Sequence, residues 1–310
     1  MFKRTTIQLL SMSGIVCAAR YLRRKSLVVV TYHGVESGEQ PVVNLDRLQT
    51  DPRIFTRQIE TLARHYRVVD LGDAVSEFRA TGCWPTRGLA ITFDDGYRNN
   101  LEVAAPILRS IGVPATFFVT GAFVEGRAAP WWYDVRQRLA ARRGRETIVS
   151  EVIRLEAEWR PLPAAERARR MTEYFGECPF MEAPYPFMDT DDLRKLMAMG
   201  FDVQPHGDGH ISYAGESTDV VLADIRAALR FHRTLGGRGA WGIAYPYGHV
   251  PRDRATVEGL LAHEGLLAAF TNGTGWNIPH CDPWLLRRWD LHGGYSPAAA
   301  VCRVAGLTRR

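Results

Sequence analysis

Apolar runs with the make-up of buried strands alternate with segments of helical periodicity along most of this 310-residue chain, and no other feature limits its fold as much. Residues 27–31 (LVVVT), 67–71, 89–93, 115–119 (ATFFV), 201–204, 241–244 and 267–271 read as strands. Residues 52–66, 99–111, 191–199, 218–235 and roughly 252–263 read as the helices between them. In the first of these, Phe55, Ile59, Leu62 and Ala63 recur on one helical face. Strands separated by helices pair in parallel and are covered on both faces. The expected fold is α/β, a parallel sheet or barrel with helices outside, and at this length one α/β barrel or two ordinary domains would both be admissible.

Residues 124–188 break the rhythm. Trp131 and Trp132 open three amphipathic stretches, at 134–143, 147–159 and 164–175, and a Pro-rich run ECPFMEAPYPF closes them. So short a segment cannot easily bury a core of its own, so it reads as a helical insertion in one strand-to-helix connection. The tryptophans either staple it to the body or line a substrate groove.

The formal charge of +5 is unevenly placed. Lys3, Arg4, Arg20, Arg23, Arg24 and Lys25 fall within residues 1–25 with no acid among them, which leaves 33 basic against 34 acidic residues elsewhere. An excess confined to one end is not a nucleic-acid surface, and no nucleic acid partner is expected. Residues 7–19 are interrupted by Gln8, Ser11, Ser13 and Gly14 and are too short to span a membrane. Basic residues ahead and small residues behind suit a secretory signal. Leu9, Met12, Val16, Ala19 and Leu22 at helical spacing, flanked by cations, suit a helix lying on an anionic membrane surface. The plainest alternative is a first helix packed on the domain. The surface helix is preferred because cations follow the cleavage point at once. The expected organisation is a basic amphipathic segment 1–26 before a domain 27–310, cytoplasmic or at a membrane surface, with export as the alternative. Five cysteines (17, 83, 178, 281 and 302) form neither a disulfide framework nor a metal knuckle. Most are expected to be buried thiols, and their odd number favours a reducing compartment.

Three segments carry chemistry. Residues 90–96, AITFDDG, end a buried strand in two adjacent carboxylates and a glycine. Catalytic side chains of barrel folds collect at such C-terminal strand ends. Neighbours on a regular strand point to opposite faces, so Asp94 and Asp95 serve one site only if the chain turns there, which Gly96 permits. Read alone, such a motif is more often a turn with a helix cap. Residues 204–212, QPHGDGHIS, place His206 and His210 in a glycine-rich loop after a short strand. Two neutral imidazoles and one carboxylate make a three-ligand site with positions left open for water and substrate. Residues 243–248, IAYPYG, run a strand into a turn whose backbone amides are suited to stabilising an oxyanion.

In this order the three segments resemble those of the polysaccharide deacetylases, carbohydrate esterase family 4 with the NodB homology domain. The resemblance extends over residues 27–291 and includes TYHGV, FTRQIETLARHY, TFDDGYRNN, GVPATFFVTG, the histidine pair, AYPYG and DPWLLRRWDL. It implies a distorted (β/α) barrel of about seven parallel strands and removal of acetyl groups from acetylated sugars. Carried onto this sequence, it implies Asp95, His206 and His210 as metal ligands, Asp94 as general base and the Tyr247 N–H as oxyanion donor. It also implies a divalent cation, zinc by resemblance, although an O/N/N ligand set accepts cobalt or nickel as well. His33 of TYHGV is the candidate proton donor, and Tyr245, Pro246 and Trp132 are the candidate substrate contacts. The expected substrate is an N-acetylhexosamine unit of a bacterial polysaccharide or lipid-linked glycan. A non-catalytic glycan-binding module and a membrane-associated scaffold are the rival classes.

The sequence departs from the family pattern at three points. Ala244 stands where an arginine often pairs with the base, and Gly207 stands where a Ser or Thr follows the first histidine. No late Leu-x-x-His motif is clear, which leaves His249, His263, His280 and His292 as alternatives for the acid, with His292 the nearest by position.

Overall fold

The computed structural model describes residues 14–38, 44–143, 148–177, 179 and 181–308. Helix α1 (Gly14–Leu22) leads to β1 (Val28–Tyr32), the two-residue strands β2 (Gly34–Val35) and β3 (Gln49–Thr50), and α2 (Pro52–His65). Asp51 starts α2 by accepting from the Arg53 and Ile54 amides, with Pro52 in the first turn. Then follow β4 (Arg67–Val68), α3 (Leu71–Thr81), β5 (Gly88–Phe93), a π-turn (Asn100–Ala104) running into α4 (Ala105–Ile111), β6 (Thr116–Val119) and α5 (Gly121–Val124). The insertion contributes α6 (Trp131–Arg143), α7 (Val149–Trp159) and α8 (Ala164–Phe175). The chain closes with α9 (Thr190–Ala198), β7 (Asp202–Pro205), α10 (Thr218–Leu235), β8 (Gly242–Ala244), α11 (Arg254–His263), β9 (Ala268–Phe270), β10 (Trp289–Asp290) and α12 (Pro297–Val304).

Every strand pair is parallel, as the alternation requires. One sheet has the order β10-β1-β5-β6-β7, with β4 pairing with the start of β5 while β6 pairs with its end. Strands β8 and β9 form a separate pair. The ring that the sequence implies is thus interrupted. Between β7 and β8 a side chain replaces the ladder: Gln204 Oε1 accepts from the Trp241 and Gly242 amides at 3.0 and 3.3 Å. On the other side Leu286 bridges β9 while Trp289 and Asp290 pair with β1, so one extended stretch touches both arcs. Strands β1 and β5 are buried at every residue, as strands covered on both faces must be.

The strands read from sequence recur within a residue or two, except at 67–71. There Asp70 accepts from the Asp73 amide and turns the chain into α3, which periodicity had not marked. Helix α12 and strands β2, β3 and β10 are likewise additions, whereas α1 falls within the segment read as a helix. Of the stripe assigned to a membrane surface, Val16 is buried in the main core and Ala19 packs against it; Arg20 also bonds the His65 carbonyl. Leu22 faces outward with Ile15 and Tyr21. Lys3, Arg4, Leu9, Met12 and Cys178 lie outside the described residues. The cysteine expectation needs correcting, because among the described residues Cys302 is buried, Cys281 half-buried, and Cys17 and Cys83 exposed.

The insertion shares a core with the body instead of forming its own. Trp131, Trp132, Tyr133, Leu139, Leu155, Trp159 and Phe175 cluster with Tyr97 and Phe123 of the sheet-bearing part. Arg136 fastens it, donating to both oxygens of Glu156 on α7 and both of Asp46 ahead of β3.

Candidate active site

Strand β5 delivers the carboxylates. The Asp94 amide still pairs with Tyr32 on β1, but the next residue leaves the ladder: Asp95 has φ 74° and the Gly96 N–H returns to the Asp94 carbonyl at 3.0 Å. That three-residue turn is the rarer, strained γ form. Gly96 continues it at φ 92° at no steric cost. The turn expected at Gly96 therefore begins one residue earlier and brings both acids to one site.

Loop 206–210, after β7, delivers the imidazoles. His206 Nε2 lies 3.6 Å and His210 Nε2 3.2 Å from Asp95 Oδ1. One ligand atom from each of the three residues falls within 4.8 Å of the others, and all three residues are buried. His206 Nδ1 lies 2.8 Å from the Ala244 carbonyl, which only a protonated Nδ1 can satisfy, so Nε2 presents its lone pair to Asp95. Burial pushes His206 down to about 4 despite the nearby Asp94 carboxylate, so its imidazole is neutral near neutral pH. Burial alone would raise the Asp95 carboxyl, but His210, then His33 and His206, hold it well below the usual carboxylate range. Among the described residues its Oδ1 has no hydrogen-bond partner although buried. An orphaned carboxylate oxygen facing two imidazole nitrogens has the donor set and spacing of a divalent cation site, where bonds of about 2.0–2.2 Å place ligand atoms roughly 3–3.5 Å apart.

Asp94 is held differently. Arg288, fully buried just before β10, forks onto it, Nη1 to Oδ1 at 2.6 Å and Nη2 to Oδ2 at 2.7 Å. Its three remaining N–H groups reach the Thr271 carbonyl, Thr31 Oγ1 and Asn272 Oδ1. Desolvation pushes the Asp94 carboxyl up; Arg288 foremost, with His206 and His33, outweighs it and keeps the group below its ordinary value. The arginine missing at Ala244 is thus supplied from the far end of the chain. Its signal in the sequence was a cation within the apolar run LLRRWDL.

The second departure has a similar answer. Gly207 has φ 72°, and a Cβ there would lie 2.8 Å from Asp224 Oδ2. Asp224, on α10, accepts from the Gly209 amide at 2.7 Å, the Asp208 amide at 3.1 Å and the Tyr213 hydroxyl at 2.8 Å. A carboxylate from a neighbouring helix anchors the histidine loop, in a space that a larger residue 207 would occupy.

The turn after β8 places Tyr247 at φ 59° with its ring 4.5 Å from that of His210. The Tyr245, Gly248 and His249 amides are taken by the Phe270, Tyr245 and Pro246 carbonyls, and Pro246 has none. An oxyanion donor from this turn therefore has to be the Tyr247 N–H. Trp131 Nε1–H donates to the Tyr247 hydroxyl at 2.9 Å, and the Trp132 ring stands 5.2 Å from His210. Trp132 thus lies beside the histidine loop. Tyr245 and Pro246 do not line the site: Tyr245 is buried against Tyr213 beneath the turn and Pro246 is buried beside it, so both shape the turn from behind.

His33 acts electrostatically on both acids, and its carbonyl is held by Asn100 Nδ2 at 2.7 Å from the π-turn. Asn99, its neighbour, bonds Gln49 and the Val35 amide. These asparagines of TFDDGYRNN were missed as site supports. His292 is engaged elsewhere, its Nδ1 accepting from the Gly294 amide beside Tyr295. His263 and His280 are exposed. His249 pairs with Ser212 at 2.7 Å, and its ring lies tilted beside that of Tyr247 at 5.4 Å.

The family model described as polysaccharide deacetylase matches residues 81–264. Among curated protein sequences none matches the chain. In solved structures the fold is similar to the deacetylase PplD of Streptococcus pyogenes in complex with acetate, at 15% identity and TM-score 0.64 over 90% of this chain and 98% of that one. It is also similar to IcaB from Ammonifex degensii, at 19% identity and TM-score 0.61 over 91% and 97%. The deacetylase domain of BpsB from Bordetella bronchiseptica aligns at 16% identity and TM-score 0.54 over 86% and 96%.

Proposed function

The chain belongs to the polysaccharide deacetylase family, and from that premise we propose that it hydrolyses N-acetyl groups from hexosamine units of a bacterial polysaccharide or lipid-linked glycan with one divalent cation, zinc in the first instance. The observation that carries this reading is the buried trio Asp95, His206 and His210, with an unpartnered carboxylate oxygen facing two imidazole nitrogens. When bound, such a cation polarises the acetyl carbonyl and acidifies a water molecule. Asp94, kept ionised and aimed by Arg288, takes the proton of the attacking water. The Tyr247 N–H donates to the oxyanion of the tetrahedral intermediate. His33 returns a proton to the departing nitrogen, so that acetate and a free amine leave.

Replacing Asp95 or His206 by Ala should remove both bound metal, read by elemental analysis, and acetate release. Asp94→Asn should keep the metal and lose turnover by about 10²–10⁴-fold. Acetate release that survives chelation together with either ligand substitution would refute the mechanism.

No helix among the described residues is long and apolar enough to cross a membrane. The outward face of α1, with Ile15, Tyr21 and Leu22 exposed beside the exposed Arg23 and Lys25, supports the further reading that the enzyme rests on an anionic membrane surface. Sedimentation with vesicles containing anionic lipid tests it, and loss of binding on Leu22→Glu is the expected result.

A further inference from the structure

Between α6, α8 and the histidine loop lies a cavity of about 130 Å³, walled by Phe123, Trp131, Trp132, Arg167, Met171 and His210. Its aromatic wall is interrupted by polar groups. Arg167 is 6% exposed. Its guanidinium lies over the Trp131 ring at 5.1 Å and gives the Leu162 carbonyl one long bond of 3.4 Å. No carboxylate pairs with it among the described residues. Trp132 is 5% exposed, and its indole N–H has no acceptor among the described residues. Of the three other buried arginines among the described residues, Arg136 and Arg288 each grip carboxylates with both ends of the fork, whereas Arg303 bonds the Asp290 carbonyl and lies against the Trp289 and Tyr295 rings, outside the wall of this cavity.

A guanidinium cannot shed its proton, and burying it without a counter-ion is costly. A neutral acetyl group would not repay that cost; an anion arriving with the substrate would. We propose that Arg167 and the Trp132 indole N–H bind a carboxylate or phosphate oxyanion carried by the glycan beside the acetylated sugar, which makes the substrate an acidic polysaccharide. This rests on the deacetylase reading and narrows it to a substrate class. The cavity has room for a substituent or part of a ring and opens against the ligand His210, so the anion sits next to the reacting unit. Carboxylate and phosphate both match the guanidinium fork.

The test uses the full chain carrying Asp94→Asn to stop turnover, titrated by tryptophan fluorescence. Three probes are compared: a tetrasaccharide alternating N-acetylhexosamine with hexuronate, its carboxyl-reduced counterpart, and an N-acetylhexosamine oligomer bearing a phosphate monoester. An acidic probe should bind about 10–100-fold more tightly than the neutral one, and added salt should erode the preference. Arg167→Gln should collapse the ratio to within about two-fold, whereas Arg167→Lys should keep part of it. Whichever acidic probe shows the preference identifies the anion. Equal binding of acidic and neutral probes, as a cavity that merely houses the acetyl group would give, overturns the proposal, and so does a preference that survives Arg167→Gln. Near-UV circular dichroism establishes that the variants are folded. Acetate release that persists in Asp94→Asn would defeat the deacetylase mechanism instead, and the binding ratio would still decide the role of Arg167.

Discussion

Arg288 beneath the active site and Arg136 within the insertion are both buried guanidiniums gripped by carboxylates, yet the two regions put the device to different use. Arg288 meets one acid, Asp94, which itself lies 3.8 Å from the ligand candidate His206. There the ion pair fixes the charge state of a group that must take up a proton. Arg136 meets two acids, Asp46 and Glu156, and joins α6 to α7 and to the segment before β3. There the pairs fix position. A buried ion pair is therefore weak testimony to function until the further contacts of its acid are known.

The comparison can be broken most forcefully at Arg288. With Arg288→Met the Asp94 carboxyl loses its main opposing charge and burial drives it upward, so it protonates earlier as pH falls. The acid limb of the pH–rate profile should move to higher pH and kcat should drop by about 10²–10⁴-fold. Stability should fall by about 3–5 kcal/mol, because a buried charge is left uncompensated. Adding Asp94→Asn should restore much of that stability without restoring turnover, and thermal unfolding of the double variant reads this out. An acid limb that stays in place in Arg288→Met would erase the distinction drawn between the two arginines.

Arg136→Met should cost less, about 2–3 kcal/mol, since Asp46 is partly exposed and can rehydrate. The limbs of the pH–rate profile should not move. Should the acid limb shift as in Arg288→Met, the insertion would be tuning the site as well as covering it.

How far the sequence reveals these features depends on whether neighbours in space are neighbours in the chain. The strand ends AITFDDG and QPHGDGH put the metal ligand candidates within short motifs, and burial with turn chemistry suffices to read them. The parallel topology follows from local periodicity. Arg288 is different: it lies 194 residues from Asp94, just before a strand of two residues too short to leave a periodic trace. Among Leu285, Leu286, Trp289 and Leu291, however, an arginine with no local partner had to find a distant one or remain solvated. Asp224 looks like one more polar residue of an amphipathic helix, and its role emerges only once α10 is laid against the loop. Strand alternation carried through the turn sends Tyr245 to the core, while Tyr247, two residues on, is swung toward the site by a positive φ.

Asp224 sharpens the comparison from a third side, as a buried acid held by N–H and O–H donors with no arginine. Burial raises its carboxyl despite the Gly209, Tyr213 and Asp208 bonds. In Asp224→Asn one oxygen must become an NH₂ group that faces a loop amide, so one of the two backbone bonds is lost and two donors are opposed. The expected result is a loss of about 1–2 kcal/mol in stability and about 10–100-fold in metal affinity, measured by equilibrium dialysis, because the loop carries both histidines. The pH dependence has a definite sign. A carboxyl whose value is higher in the folded than in the unfolded chain leaves the folded state with more bound protons, so wild-type stability declines as pH rises from 3.8 toward the raised value. That component of the slope should vanish in Asp224→Asn, seen as a difference between the unfolding midpoints of metal-free wild type and variant that narrows with rising pH. If metal affinity and the slope are both unchanged, the carboxylate is a bystander and the loop is positioned by its glycines alone.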